Sequence, residues 1–168
     1  MTILAMKARP ESLELAVVGC GIGGEEYGIS VEQVREVLRS PEITGIPGQP
    51  EFIVGLMKLR GYAIPVIDLR IRFGLPAPHG RMSRVVVAAV KELLVAFLVD
   101  SVSAIRKLEA SAIRPLPSGL ACRGSAFLRG VAPLGVDSDR WLLLLDLDRV
   151  FSIEEENALR KVDEGKKA

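Results

Sequence analysis

The chain is poor in the residues that most often carry chemistry. It has two cysteines, Cys20 and Cys122, and a single histidine, His79. The cysteines lack the C-x-x-C spacing of a zinc or redox pair, so no metal site is expected. His79 sits in the loop "PAPHG" with no serine or cysteine arranged beside it, so no activated nucleophile is legible and catalysis is not expected. Aromatic residues make up only 5% of the chain, and 22 Lys+Arg nearly balance 21 Asp+Glu. A nucleic-acid groove needs rings interleaved with a basic surface, and an anionic membrane needs a positive field; neither is present. Long unbroken apolar runs are missing too. The longest, "VVVAAVKELLVAFLV", is cut by Lys91-Glu92, and the first residues lack a basic segment followed by a sustained apolar core. These absences predict a cytoplasmic protein with reduced thiols and no membrane insertion.

Hydrophobic residues are plentiful at 49%, enough for a substantial interior. Glycine is plentiful as well, and "LAVVGCGIGGEEYGIS" places Gly19, Gly21 and Gly24 on the G-x-G-x-x-G pattern of dinucleotide-binding sites. That pattern binds a pyrophosphate only when the last glycine opens a helix. Here "EEYGIS" follows, with strand-like alternation and a second glycine. Glu42, at the distance of a ribose ligand, follows a proline instead of ending a strand. The stretch therefore predicts a hairpin turn, with a dinucleotide-dependent enzyme as a remote alternative and no cofactor expected.

Most other segments read as strands: "SLELAVV", "IDLRIRF", the pair "RVVVAAV" and "LLVAFLV" joined at Lys91-Glu92, and "RWLLLLDLD". One early helix is signalled over residues 30–38, where Ser30 with Gln33 makes a capping box, Val31, Val34, Val37 and Leu38 share a face, and Pro41 stops it. A second helix is expected near the C-terminus, ahead of a polar tail at 161–168. Trp141 is expected to anchor a core.

An internal repeat organises these strands. Phe52-Ile-Val-Gly55-Leu-Met-Lys-Leu59 parallels Phe127-Leu-Arg-Gly130-Val-Ala-Pro-Leu134, and D-L-x-x-x-F closes each copy at 68–73 and 146–151. Two such units predict two small β-barrels, each too small to bury its apolar face alone and so packed on the other. Positions shared by both copies, including Asp68 and Asp146, read as packing, turns and exposed strand-end charge. Arg60 has no counterpart in the second copy. An arginine at a tight turn suits a bidentate carboxylate partner, which makes it the leading candidate for a binding site.

The segments "EEYGISVEQVREVLR", "FIVGLMKLRGYAIPVIDLR" and "LVDSVSAI" resemble the CheW family of coupling proteins from bacterial chemosensory arrays. The motifs E-x-Y-G-I, V-x-E-V, F-I-x-G, L-R-G-x-x-x-P-V-[IV]-D-L-R and V-D-x-V occur in the family's order between about residues 11 and 159. The resemblance implies a single domain over 11–160, built of two SH3-like five-stranded β-barrels with no active site. It also implies an adaptor bridging the cytoplasmic tip of a chemoreceptor to the regulatory domain of a CheA-type histidine kinase, in flagellar chemotaxis or in another pathway such as pilus-based motility control. Carried onto this sequence, Leu59, Arg60 and Gly61 fall on the L-R-G turn, where Lys58 replaces the usual asparagine. Val34 and Glu36 fall on the V-x-E segment beside a groove for the receptor tip, and Gly55 on the F-I-x-G glycine. Val99, Asp100, Val102 and Ile105 fall on the V-D-x-V strand, assigned by this reading to the second barrel.

Overall fold

The computed structural model describes residues 14–39, 41–76, 83–117 and 125–164. His79 and Cys122 lie outside the described residues, as do the first residues and the last four of the expected tail. Ten strands form two five-stranded sheets. One, the inserted unit, is continuous in sequence: β3 (Val34–Arg39), β4 (Ile53–Leu59), β5 (Tyr62–Asp68), β6 (Arg84–Val90) and β7 (Leu93–Val99), in the order β3-β6-β7-β5-β4. The other, the terminal unit, gathers both ends of the chain: β1 (Glu14–Ile22), β2 (Glu25–Ser30), β8 (Ser101–Glu109), β9 (Leu128–Pro133) and β10 (Trp141–Leu145), in the order β8-β1-β2-β10-β9. The two orders map onto each other strand for strand, so the sequence repeat is the visible part of a duplicated and interleaved plan.

Matching positions make matching bonds. Asp68 N–H donates to the Phe52 carbonyl at 2.8 Å, and Asp146 N–H to the Phe127 carbonyl at 2.8 Å. Isolated bridges Thr44–Leu56 and Arg114–Val131 occupy equivalent places. The long apolar runs are explained by burial on both strand faces. Along β6, Val85 and Val87 fill a private core of the inserted unit, while Val86, Ala88 and Val90 enter a joint core shared by both units. Along β7, Ala96 and Leu98 point one way and Val95, Phe97 and Val99 the other.

The glycine stretch makes a hairpin, as its alternation predicts. Gly23 and Gly24 turn it at φ +62° and +88°, the conformation of a two-residue turn between twisted antiparallel strands. Gly19 has a steric role: the Ser103 hydroxyl donates to Glu26 at 3.0 Å across β1, and a Cβ at position 19 would overlap that hydroxyl.

Several local expectations are corrected. The helix predicted over 30–38 is absent. Its capping signal makes a turn, with Gln33 N–H donating to the Ser30 carbonyl at 3.0 Å, and the valines continue as β3 along β6. The strand expected through "IDLRIRF" stops at Asp68, which is fully buried and caps the short helix α1 (Leu69–Arg72) by accepting from Arg70 N–H at 2.9 Å and Ile71 N–H at 3.4 Å. Asp68 is thus a buried cap and no exposed strand-end charge, whereas Asp146 is half-buried and pairs with Arg149 at 3.2 Å. Trp141 is 43% exposed and does not anchor a core. The C-terminal helix α2 (Ile153–Glu164) runs past the expected boundary at 160. Among the described residues no helix is long and apolar enough to cross a membrane.

Candidate functional site

The β4–β5 connection is the tightest available, with Leu59 paired to Tyr62 and only Arg60 and Gly61 between them. Both turn residues have positive φ, +50° and +83°. Such turns favour glycine or asparagine, and an arginine there costs about 1–2 kcal/mol of backbone strain. The side chain presented at that cost is 76% exposed, and its Nη2 lies 3.1 Å from Oε2 of Glu36 on β3. β3 and β4 are the two outer strands of the sheet order, so this ion pair joins opposite edges of the inserted unit. An exposed pair of this kind adds little to stability, which leaves both groups available to a partner.

Around this turn the predicted residues separate by burial. Arg60 and Gly61 are exposed, Leu59 is half-buried against the private core, and Glu36 is half-buried beside Arg60. Val34 is half-buried against the joint core, and Val37 is 41% exposed on β3. Gly55 is buried at φ +153°, and a Cβ there would overlap the Thr44 carbonyl, so its requirement is one of backbone approach. The V-D-x-V segment does not belong to one barrel. Val99 ends β7 of the inserted unit, Asp100 lies between, and Val102 and Ile105 start the terminal unit's β8. Val99 is buried in the joint core, Val102 is half-buried against it, and Ile105 is 62% exposed. The candidate residues are therefore shared between two units that meet at one core.

Asp100 ties the units where the chain crosses. Its Oδ2 accepts from Arg70 Nη1 at 2.6 Å and from Gly23 N–H at 2.8 Å, so the tip of the glycine hairpin docks on the inserted unit. A separate groove of about 860 Å³ opens on the terminal unit beside Pro115, Leu116, Trp141 and Leu143. Sequence reasoning missed it by burying Trp141, although the "RPLP" segment after β8 marks one wall.

Among the described residues the one cysteine is not an activated nucleophile. Cys20 is buried, and burial first, then the Glu26 carboxylate, pushes its thiol up to about 12, which keeps it un-ionised and inert. Among the described residues no cluster of His, Cys, Asp or Glu could hold a metal ion. An exposed arginine at a strained turn with an adjacent glutamate suits contact with other proteins.

Comparison with known proteins agrees. The family profile described as CheW-like domain matches residues 16–155. The chain is 35% identical to "Chemotaxis protein CheW" of Klebsiella aerogenes over 135 residues, 80% of either chain. It is 32% identical to that of Rhizobium meliloti over 82% of this chain and 87% of the relative. The crystal structure of the scaffolding protein TtCheW from Thermoanaerobacter tengcongensis superposes with a TM-score of 0.76 at 30% identity, covering 85% of this chain and 96% of that one. The duplicated double unit, the Arg60 turn and these likenesses lead to one assignment: the chain belongs to the CheW-like family, a family of scaffolds.

Proposed function

We propose that the protein is a non-enzymatic adaptor that couples chemoreceptors to a CheA-type histidine kinase at membrane-associated arrays. The observation that carries this reading is the Arg60 turn, where a strained backbone holds a solvent-facing guanidinium 3.1 Å from Glu36 at the end of one unit. A turn of this kind at the end of a small sheet offers a compact, rapidly exchanging contact for the kinase's regulatory domain. The receptor tip is a helical hairpin, and in this reading it meets apolar residues that both units contribute, with Val34, Val102 and Ile105 as their exposed or half-buried members. Gly55 and Val99 are buried, and in this reading they contribute through backbone approach and core packing.

Calorimetric titration against the kinase regulatory domain, with wild type and Arg60→Glu, tests the reading. Saturable one-to-one binding by wild type, weakened at least tenfold or so by charge reversal at an unchanged melting temperature, is the expected result. Equal affinity of the variant for both kinase and receptor hairpin removes Arg60 from the site. Absence of binding to the kinase of every chemosensory pathway in the cell overturns the adaptor reading, and the kinase that does bind identifies the pathway.

A further inference from the structure

Ring contacts between the two units come in exchanged pairs. Phe73 of the inserted unit stacks on Phe127 of the terminal unit with ring centroids 5.5 Å apart, and the repeat counterparts Phe151 and Phe52 face each other at 6.4 Å. The symmetry breaks one residue earlier, where Arg72 is matched by Val150. The Arg72 guanidinium lies 4.5 Å from the Phe52 ring centroid and 5.1 Å from that of Phe127, over two repeat-equivalent rings from different units. Its Nε donates to the carbonyl of Val150, its own counterpart, at 2.9 Å. Its Nη2 donates to Glu155 of α2 at 2.9 Å, with both side chains about four-fifths shielded from solvent.

Stacked rings hold two bodies together without fixing their angle, because hydrophobic contact is non-directional. A planar guanidinium with two of its donors committed in different directions fixes it. The angle bears on the candidate binding residues. Val34 and Val99 belong to the inserted unit, Val102 and Ile105 to the terminal unit, and the first three pack in or against the same joint core as the four rings. Candidate residues from both units therefore take relative positions that depend on the angle between the units.

We infer that Arg72 is a positioning residue: it sets the angle between the two units, and through that angle the relative positions of the candidate residues from both, without itself meeting a partner. The functional half of this inference rests on the adaptor reading; the structural half does not.

The test uses the full chain with Cys122→Ser and spin labels on Val136→Cys and Leu94→Cys, exposed positions in the terminal and inserted units. Cys20 stays buried and unlabelled. The interspin distance distribution is expected to be narrow with Arg72 in place and to shift or broaden in Arg72→Val, which makes the two halves of the junction alike. Arg72→Lys keeps the charge without the fork and is expected to fall between. Affinity for a receptor cytoplasmic hairpin should drop about tenfold in Arg72→Val, while affinity for the kinase regulatory domain, which meets the inserted unit at the Arg60 turn, stays within about twofold. An unchanged distance distribution overturns the inference whatever the affinities do. Should Arg72→Val lose its cooperative melt, Arg72→Lys decides by the same distances. Failure of wild type to bind the receptor hairpin removes the adaptor reading and leaves the distances to judge the junction.

Discussion

The inserted and terminal units share a backbone plan and differ in how it is filled. Among the described residues the private core of the inserted unit holds seven buried side chains, from Met57 to Leu98, whereas that of the terminal unit holds three, Val17, Leu142 and Leu144. The inserted unit closes β4–β5 with the two-residue Arg60–Gly61 turn; the terminal unit spends a longer loop between β9 and β10 and leaves Trp141 exposed beside it. Duplication thus kept the hydrogen-bonding frame and let the turns and cores diverge. The better-filled copy carries the strained, exposed arginine, as expected if local strain must be held by surrounding structure.

The comparison can be broken most directly at the paired glycines. At position 55 a new Cβ meets the Thr44 carbonyl within overlap distance at positive φ; at position 130 it meets the Arg114 carbonyl at 2.8 Å without the dihedral penalty. Gly55→Ala is expected to cost about 3 kcal/mol and Gly130→Ala about half that, measured as shifts of the denaturant midpoint. Equal costs would mean that the two bridges are energetically alike and that the dihedral at Gly55 stores nothing. A loss of partner binding in Gly55→Ala would then be read against its loss of stability, since the glycine is buried.

The paired aspartates come next. Asp68 caps α1 from a fully buried position with two backbone donors, while Asp146 caps a single 3-10 turn through Asp148 N–H at 3.1 Å and is partly satisfied by Arg149. Asp68→Ala is expected to cost about 2 kcal/mol and Asp146→Ala less than about 1 kcal/mol. Amide exchange sharpens the same contrast: protection in β6 and β7, which line the larger private core, should exceed that in β9 and β10. The reverse order would show that the private cores do not set unit stability.

How much of this was legible in the sequence depends on the range of the interactions concerned. The hairpin at Gly23–Gly24 and the one at Lys91-Glu92 were readable because turn and flanking alternation are local. The duplication was readable because Phe52, Gly55, Asp68 and Phe73 recur in order, and the recurring residues make the same bonds in both copies. The helix over 30–38 failed because its valines suit either period, and the open edge of β6 is a stronger partner than a capping box. Asp68 was misplaced because nothing local distinguishes a strand-end charge from a buried cap. Arg60 stands out in the sequence as the residue the repeat does not share; its contact with Glu36 depends on the approach of two outer strands, which no local pattern encodes. Arg72 was invisible for the same reason, since its four partners come from both units and from α2.

The smallest effect is expected at the turns joining β1 to β2 and β6 to β7, which are equivalent in the two sheet orders. The terminal unit makes this turn with Gly23 and Gly24, the inserted unit with Lys91 and Glu92 at φ +46° and +72°. The strained turn is braced by α2: Lys91 Nζ lies 2.8 Å from Glu156 Oε1, and Arg160 Nη2 donates to the Lys91 carbonyl at 3.2 Å. The hydrogen bond to Glu156 raises the Lys91 pKa above its ordinary value, against a smaller opposing contribution from burial. A lysine raised in the folded state stabilises fully below its unfolded pKa of about 10.4, and that contribution fades as pH climbs through the folded value. The stability difference between wild type and Lys91→Met should therefore stay constant from neutral pH to about 10 and shrink above it, followed by chemical denaturation at each pH. No equivalent alkaline loss is expected from the glycine turn. A difference that persists unchanged well above pH 11 or so would show that the charge on Lys91 does not set it.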